Sequence, residues 1–224
     1  MIVVTSLSPG HKNAENQRAA AESWAKHGEC FSLNCDSEIE QLQGAFKDVC
    51  FLFTTKTMQH LYGRPLVSIN AIIDMARDVR ENLLITNSDI IITDLPELKQ
   101  DGITIFSRYD YKINFSDAER FIFGFDMFYI PKQFLKIFPP SIYALGECWW
   151  DLSLPLRAIQ KNVPLYSPTT KHGFHKKHTI HWSQSQWERI AEYFIWEFGW
   201  DKKMTGGQAA TEAMVRIKNK LITV

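Results

Sequence analysis

The sequence predicts an α/β fold: a mixed, mostly parallel sheet with helices on both faces. Three observations carry this. Short apolar runs alternate with amphipathic stretches from Ile2 to Ile92, the order produced by parallel strands joined by crossover helices. The 224 residues are enough for one large domain that needs no disulfide or structural metal to fold. No stretch approaches the roughly eighteen apolar residues of a membrane span.

Ile2 to Leu7, closed by Ser8-Pro9-Gly10, reads as a buried strand ending in a loop. A helix is expected from Ala14 to His27, with Ala20, Ala21, Trp24 and Ala25 as its apolar stripe and Gly28 as its C-cap. Cys30 to Asn34 and Val49 to Phe53 are the next strands. After Pro65, the spacing of Ile69, Ile72, Ile73, Ala76 and Val79 predicts a helix, followed by a strand at Leu83 to Thr86 and another at Ile90 to Ile92. The second half is less regular. Ile103 to Ser107 and Phe121 to Ile130 read as strands, and Asp151 as the cap of a helix running to about Asn162, with Pro155 in or near its first turn. Trp187, Ile190, Ala191, Phe194, Ile195 and Phe198 fall on one face of a helix from Gln184 to Phe198, closed by Gly199. Repeats, low-complexity tracts and linkers are absent, so residues 1–224 read as a single domain.

Lys plus Arg and Asp plus Glu balance at 25 each. That argues against a broad electrostatic grip on nucleic acid or anionic lipid, though not against a local basic patch. Cys30, Cys35, Cys50 and Cys148 form no CxxC pair, and they read as reduced, structural thiols suited to a cytoplasm. The N-terminal segment has no basic n-region and too short an apolar run for a signal peptide.

Asn87-Ser88-Asp89 interrupts two apolar strands at the point where an open parallel sheet places its ligand crevice. A carboxylate and an amide oxygen one residue apart can both face a hard cation, which neutralises a diphosphate leaving group. The same three residues are also common in plain turns. A second cluster, Gly124-Phe125-Asp126-Met127-Phe128 followed by Gly146-Glu147-Cys148-Trp149-Trp150-Asp151, gathers carboxylates and aromatics. Asp151 and Glu147 are candidate general bases, although an Asp ahead of a helix is more often a cap. Asp126 within an apolar strand requires a partner or a solvent-facing place. Trp149 and Trp150 are candidate stacking platforms, with core packing as the default. A third cluster holds His172, His175, His178 and His181 among Lys171, Lys176 and Lys177, on a loop or short strand.

The run from Ile2 to Ile92 resembles the nucleotide-binding half of glycosyltransferases with the GT-A fold, in which the order strand, helix, strand, strand, helix, strand ends in an Asp-x-Asp turn. That resemblance implies a GT-A-like (Rossmann-like) single domain, with 1–92 as the nucleotide-binding half and 93–224 as an acceptor-binding half with C-terminal helices. It implies a nucleotide-diphosphate sugar donor (a UDP- or GDP-sugar), with Mn²⁺ (or Mg²⁺) as cofactor. Asp89 matches the last Asp of the motif and Asn87 replaces the first, a departure that bears on metal affinity. Thr5, Ser6 and Leu7 match the edge that holds the base, Asp36 the base or ribose contact, and Arg64 a phosphate contact, with Asn87 and Ser88 also beside the donor. The 124–151 cluster resembles the acceptor side of GT-A-like proteins of bacteria and phages, which implies a bacterial or phage-infected host cytoplasm. There Asp151, Glu147 and Asp126 flank the acceptor, and Trp149 and Trp150 stack on it. His-Gly-Phe-His-Lys-Lys-His resembles the C-terminal element that completes the metal site, with His172 or His175 as ligand and Lys176 or Lys177 on phosphate. The resemblance leaves the acceptor open, a glycan or a modified DNA base being the two kinds it suggests. A nucleotidyltransferase calls for a Gly-rich, Arg-containing loop after the first strand, which Ser8-Pro9-Gly10-His11 is not. Two other readings stay open: a zinc/His-site hydrolase, and a degenerate GT-A fold serving as a nucleotide- or carbohydrate-binding module.

Overall fold

A computed structural model describes residues 1–11, 14–178 and 183–224. The first half runs β1 (Ile2–Thr5), α1 (Ala14–Trp24), β2 (Glu29–Asn34), α2 (Asp36–Leu42), β3 (Val49–Phe53), the single turn α3 (Gln59–Tyr62), α4 (Ile69–Val79), β4 (Leu83–Thr86) and β5 (Ile90–Ile92). The second half runs β6 (Ile103–Phe106), β7 (Arg108–Tyr111), β8 (Glu119–Arg120), β9 (Met127–Ile130), α5 (Trp150–Gln160), β10 (Leu165–Ser167), β11 (Gly173–Lys176), α6 (Gln184–Glu197), α7 (Gly206–Lys218) and β12 (Leu221–Thr223).

Eight strands form one sheet in the order β12-β10-β6-β9-β4-β1-β2-β3. Every pair is parallel except those of β9, which runs antiparallel between β4 and β6. This is the mixed, mostly parallel α/β architecture the sequence predicts. Successive side chains of a strand face opposite sides, and the core divides accordingly. Ile2, Val4, Leu83, Ile85, Ile103, Ile105, Phe128 and Ile130 enter the layer covered by α4 to α7, whereas Val3, Leu84, Phe106, Met127 and Tyr129 meet α1 through Ala20, Ala21 and Trp24. The strands are apolar on both faces because both are covered. No helix among the described residues is long and apolar enough to cross a membrane.

Several boundaries differ from expectation. The run Phe121 to Ile130 is strand only in its last four residues, because Asp151 occupies the space beside Gly124 and binds the backbone at Phe125. The α1 helix ends at Trp24, and Gly28 is no helix cap: a Cβ there would stand 2.5 Å from the Met1 carbonyl oxygen, so the strand start demands glycine. The N-cap of α5 is Trp149, in the left-handed region at φ 79°, and Asp151 lies in the first turn. Pro155 sits in the interior of α5, past that first turn, and removes one ladder hydrogen bond there.

Candidate functional site

The four remaining strands form a second sheet in the order β5-β11-β7-β8. Each is the chain neighbour of a strand in the large sheet: β5 follows β4, β7 follows β6 after Ser107, β8 precedes β9, and β11 follows β10. The small sheet is therefore built where the strands of the large one leave its edge at the carboxyl end of β4. One face of it is apolar, with Phe174 and Tyr111 packed with Ala118 and Phe115 stacked on Phe174. The alternation of β7 and β11 sends Arg108, Asp110 and His175 to the other face. Register places His175 beside Asp110 on one side and Ile90, the residue after Asp89, on the other. α1 anchors β5 by two side-chain bonds: Trp24 Nε1 donates to the Ile90 carbonyl at 2.7 Å, and the Ile92 N–H donates to Ser23 Oγ at 2.9 Å.

Three imidazoles converge on one carboxylate oxygen. Asp89 Oδ2 lies 3.0 Å from His178 Nε2, 3.2 Å from His175 Nε2 and 3.4 Å from His11 Nε2, and His175 Nε2 lies 3.1 Å from His178 Nε2. His175 Nδ1 faces Asp110 Oδ1 at 2.9 Å, which fixes a proton on Nδ1 and turns Nε2 toward the cluster. Burial alone raises a carboxyl, but hydrogen bonds from the three histidines outweigh it and hold Asp89 well below the usual range. For His175 burial lowers the pKa, and Asp110 and Asp89 overcome this to push it up to about 9. Asp110 follows the same logic as Asp89: burial raises it, and His175 and Arg108 bring it below its ordinary value.

Nitrogen lone pairs this close repel unless a proton or a cation lies between them. Tetrahedral ligands at about 2.0–2.1 Å from a metal ion stand about 3.3–3.4 Å apart, close to the spacings seen here. His11, Asp89 and His178 each offer a ligand atom within 4.8 Å of the others. With its outer nitrogen held by Asp110, His175 has the orientation of a metal-bound imidazole backed by a carboxylate. The donor set fits a divalent transition ion better than Mg²⁺, which prefers oxygen ligands.

A second ionic chain leads away from this cluster. Arg108 Nε stands 2.8 Å from Asp110 Oδ1, and its Nη1 is 2.6 Å from Asp126 Oδ2. The other Asp126 oxygen accepts from Asn87 Nδ2 at 2.7 Å, and the Asn87 N–H donates to the Asp126 carbonyl at 3.0 Å. This accounts for Asn rather than Asp at position 87, since a second carboxylate there would face Asp126. Asp126, buried just before β9, thus has the partners that a buried carboxylate demands. Asp151 Oδ2 accepts from the Phe125 N–H at 3.1 Å. Burial, with Asp126 nearby, raises the Asp151 carboxyl to about 7.

Some anticipated residues stand apart from the cluster. His172 is buried behind it, its Nδ1 donating to the Asp94 carbonyl and its Nε2 meeting Thr170 Oγ1, both at 2.7 Å, so neither ring nitrogen is left for an ion. Arg64 is paired with Glu147, whose carboxyl is buried and raised, so each meets the other in place of phosphate or acceptor. Trp149 and Trp150 are 2% and 1% exposed, which leaves neither ring a face for a ligand. Trp149 packs on Trp187 and Phe194, and Trp150 on Phe128. Lys176 is exposed and follows His175 on the alternate side of β11. Thr5 is buried with its hydroxyl on the Thr86 carbonyl, and Leu7 is held by Ser32 and Asn34; Ser6 between them is half-buried. Asp36 is exposed at the start of α2, and the Ser88 hydroxyl meets the Gln17 amide at 2.9 Å. His181 lies outside the described residues.

Three residues at the centre were not singled out from sequence, His11, Arg108 and Asp110, and His178 was named in the histidine cluster without being chosen as the ligand. The signal for two of them was present, because Arg-Tyr-Asp-Tyr alternates charged and aromatic residues as a half-buried strand does.

No protein-family model matches the chain, and no curated protein does. The solved structures it resembles are nucleotidyltransferases and glycosyltransferases. One is described as a glucose-1-phosphate thymidylyltransferase from Bacillus anthracis, at 8% identity and TM-score 0.40, covering 79% of this chain and 86% of that one. Another is a CTP:phosphocholine cytidylyltransferase from Streptococcus pneumoniae, at 10% identity and TM-score 0.39, covering 86% and 98%. A third is a glycosyltransferase from Streptococcus pneumoniae, at 12% identity and TM-score 0.34, covering 96% of this chain and 63% of that one. These superpositions are loose, so any functional conclusion has to come from the side chains at the end of β4.

Proposed function

We propose that the protein is a glycosyltransferase that moves a sugar from a UDP- or GDP-sugar to an acceptor hydroxyl with the help of a divalent transition ion, Mn²⁺ or Zn²⁺. The observation that carries this is the convergence of His11, His175 and His178 on Asp89 at the carboxyl end of β4, where open α/β sheets bind their ligands. His11, Asp89 and His178 would hold the ion, with His175 beside them on Asp89, and the bound ion would neutralise a diphosphate leaving group. Asp110 orients His175, and Arg108 ties Asp110 to Asp126. Ser6, just after β1, and Asp36, at the start of α2, keep surface in water and suit the base and ribose. Asp151 is the general base: it takes the proton of the acceptor hydroxyl as the new oxygen–carbon bond forms and the bond from the sugar to the diphosphate breaks. A carboxyl raised to about 7 is matched to that task near neutral pH.

The test is release of UDP or GDP from a panel of nucleotide-sugars with Mn²⁺ present. Asp89→Ala is expected to lower release by about a hundredfold or more, the scale of losing one main electrostatic stabiliser. Absence of nucleotide binding in the presence of Mn²⁺ overturns the reading. The nitrogen-rich donor set also favours a hydrolytic zinc centre. That alternative predicts stoichiometric zinc in the purified protein and no thermal shift with any nucleotide.

A further inference from the structure

The contacts around the turn that carries Asp89 close into a circuit. From Asp89 it runs two positions back along the chain to Asn87, whose Nδ2 donates to Asp126 Oδ1 at 2.7 Å. The other Asp126 oxygen lies 2.6 Å from Arg108 Nη1, Arg108 Nε lies 2.8 Å from Asp110 Oδ1, and that oxygen faces His175 Nδ1 at 2.9 Å. His175 Nε2 returns to Asp89 Oδ2 at 3.2 Å. The turn after β4 is therefore held from both sides, and both holds lead to one carboxylate, Asp126. Burial makes this arrangement costly. Asp126 and Asp89 are 8% and 9% exposed, and Phe121 covers the Arg108 guanidinium at 3.8 Å from its ring centroid. Charges so enclosed often stabilise a fold no better than apolar side chains of similar volume. The amide oxygen of Asn87 is buried with no partner in the protein, which adds to the cost. What the circuit supplies is direction, since each member fixes the orientation of the next.

We propose that Asp126 is a positioning residue of the ion site, and that its pairing with Asn87 makes an amide at position 87 better for ion binding than a carboxylate. This rests on the ion site of the transferase reading above. Asp126 fixes the Asn87 end of the turn directly and the His175 end through Arg108 and Asp110. A count of ligands alone gives the opposite expectation: Asn87→Asp would add a carboxylate to the turn and hold a hard cation more tightly. In the circuit that carboxylate would stand about 3 Å from Asp126, a separation at which two carboxylates cannot both ionise. The turn would then shift, and Asp89 with it. Exchanging the two residues avoids this. An amide at 126 can donate to a carboxylate at 87 and accept from Arg108, so both bonds survive with the charge moved by one position in the circuit.

The test is calorimetric titration of Mn²⁺ alone into the wild type, Asn87→Asp, Asp126→Asn and the double exchange, with urea unfolding of each measured alongside. Asn87→Asp is expected to weaken Mn²⁺ binding about tenfold and Asp126→Asn about three- to tenfold, while the exchange returns to within about threefold of wild type. In the ion-free proteins, the imidazole ¹⁵N resonances of His175 should move in each single variant and return in the exchange. A loss of stability alone does not produce that pattern. Asp126 loses this role if Asn87→Asp binds Mn²⁺ as tightly as the wild type or tighter, or if the exchange binds no better than the single variants. It loses it equally if the wild type binds no Mn²⁺. Failure of every nucleotide to bind is a separate result: it removes the transferase reading and leaves these measurements, made without nucleotide, standing.

Discussion

The two sheets divide the work of the molecule. The large one is apolar on both faces and covered by helices, so its side chains are interchangeable in kind. The small one has one apolar face and one face of Arg108, Asp110 and His175, whose identities matter atom by atom. Burial drives the first, whereas the second persists because its charges are paired and α1 anchors its edge through Trp24 and Ser23. A substitution in the large sheet is expected to act on stability, and one on the polar face of the small sheet on ligand binding.

The largest expected effect lies in the large sheet. Phe128 is fully buried, pairs with both Ile85 and Ile105, and meets the rings of Phe125 and Trp150. Phe128→Ala should cost about 3–5 kcal/mol in urea unfolding. A cost below about 1 kcal/mol would break the division of labour. Next is Asp110→Ala, which removes the carboxylate behind His175. Affinity for Mn²⁺ or Zn²⁺ by calorimetry should fall about 10- to 100-fold, with a change in stability of only about 1–2 kcal/mol. A larger loss of stability than of affinity would mean that the cluster is structural.

The smallest effect concerns Asp151→Asn. A carboxyl raised in the folded state contributes its stability fully below its unfolded value, near pH 4, and loses it as pH rises through about 7. Asparagine removes this dependence and can still accept from Phe125. Asp151 keeps some surface in water, so screening limits the effect. The variant should gain about 1–2 kcal/mol on the wild type between pH 4.5 and pH 8. A difference that stays flat across that range would show the carboxyl to be unperturbed.

The large sheet was the more legible of the two. β3, β4 and β5 and the spacing of α4 follow directly from runs such as Val49–Phe53 and the isoleucines at 69, 72 and 73. Among the elements not anticipated, α7 was readable, since Thr205 and Gln208 form a capping box. The three-residue strands β10 and β12 are too short to show a period. The site was harder. Asp89 and His175 sit as neighbours, but the choice of His178 over His172 depends on which ring nitrogens already have partners, as the Asp94 carbonyl and Thr170 show for His172. His11 joins from a loop seventy-eight positions before Asp89, a distance no local pattern spans.

The passage from β6 to β7 through Ser107 alone has a consequence for how the chain can change. A strand that leaves one sheet and enters the next after a single residue has no slack, and the turn at Asn87 to Asp89 gives little more. Lengthening either by one residue flips the facing of every side chain beyond it, turning Arg108 and Asp110, or the strand after Asp89, away from the cluster. The hairpin tip at 112–117 lies beyond that constraint, and its residues are almost all in water. Natural or engineered insertions are therefore tolerated at the tip and excluded at the crossings.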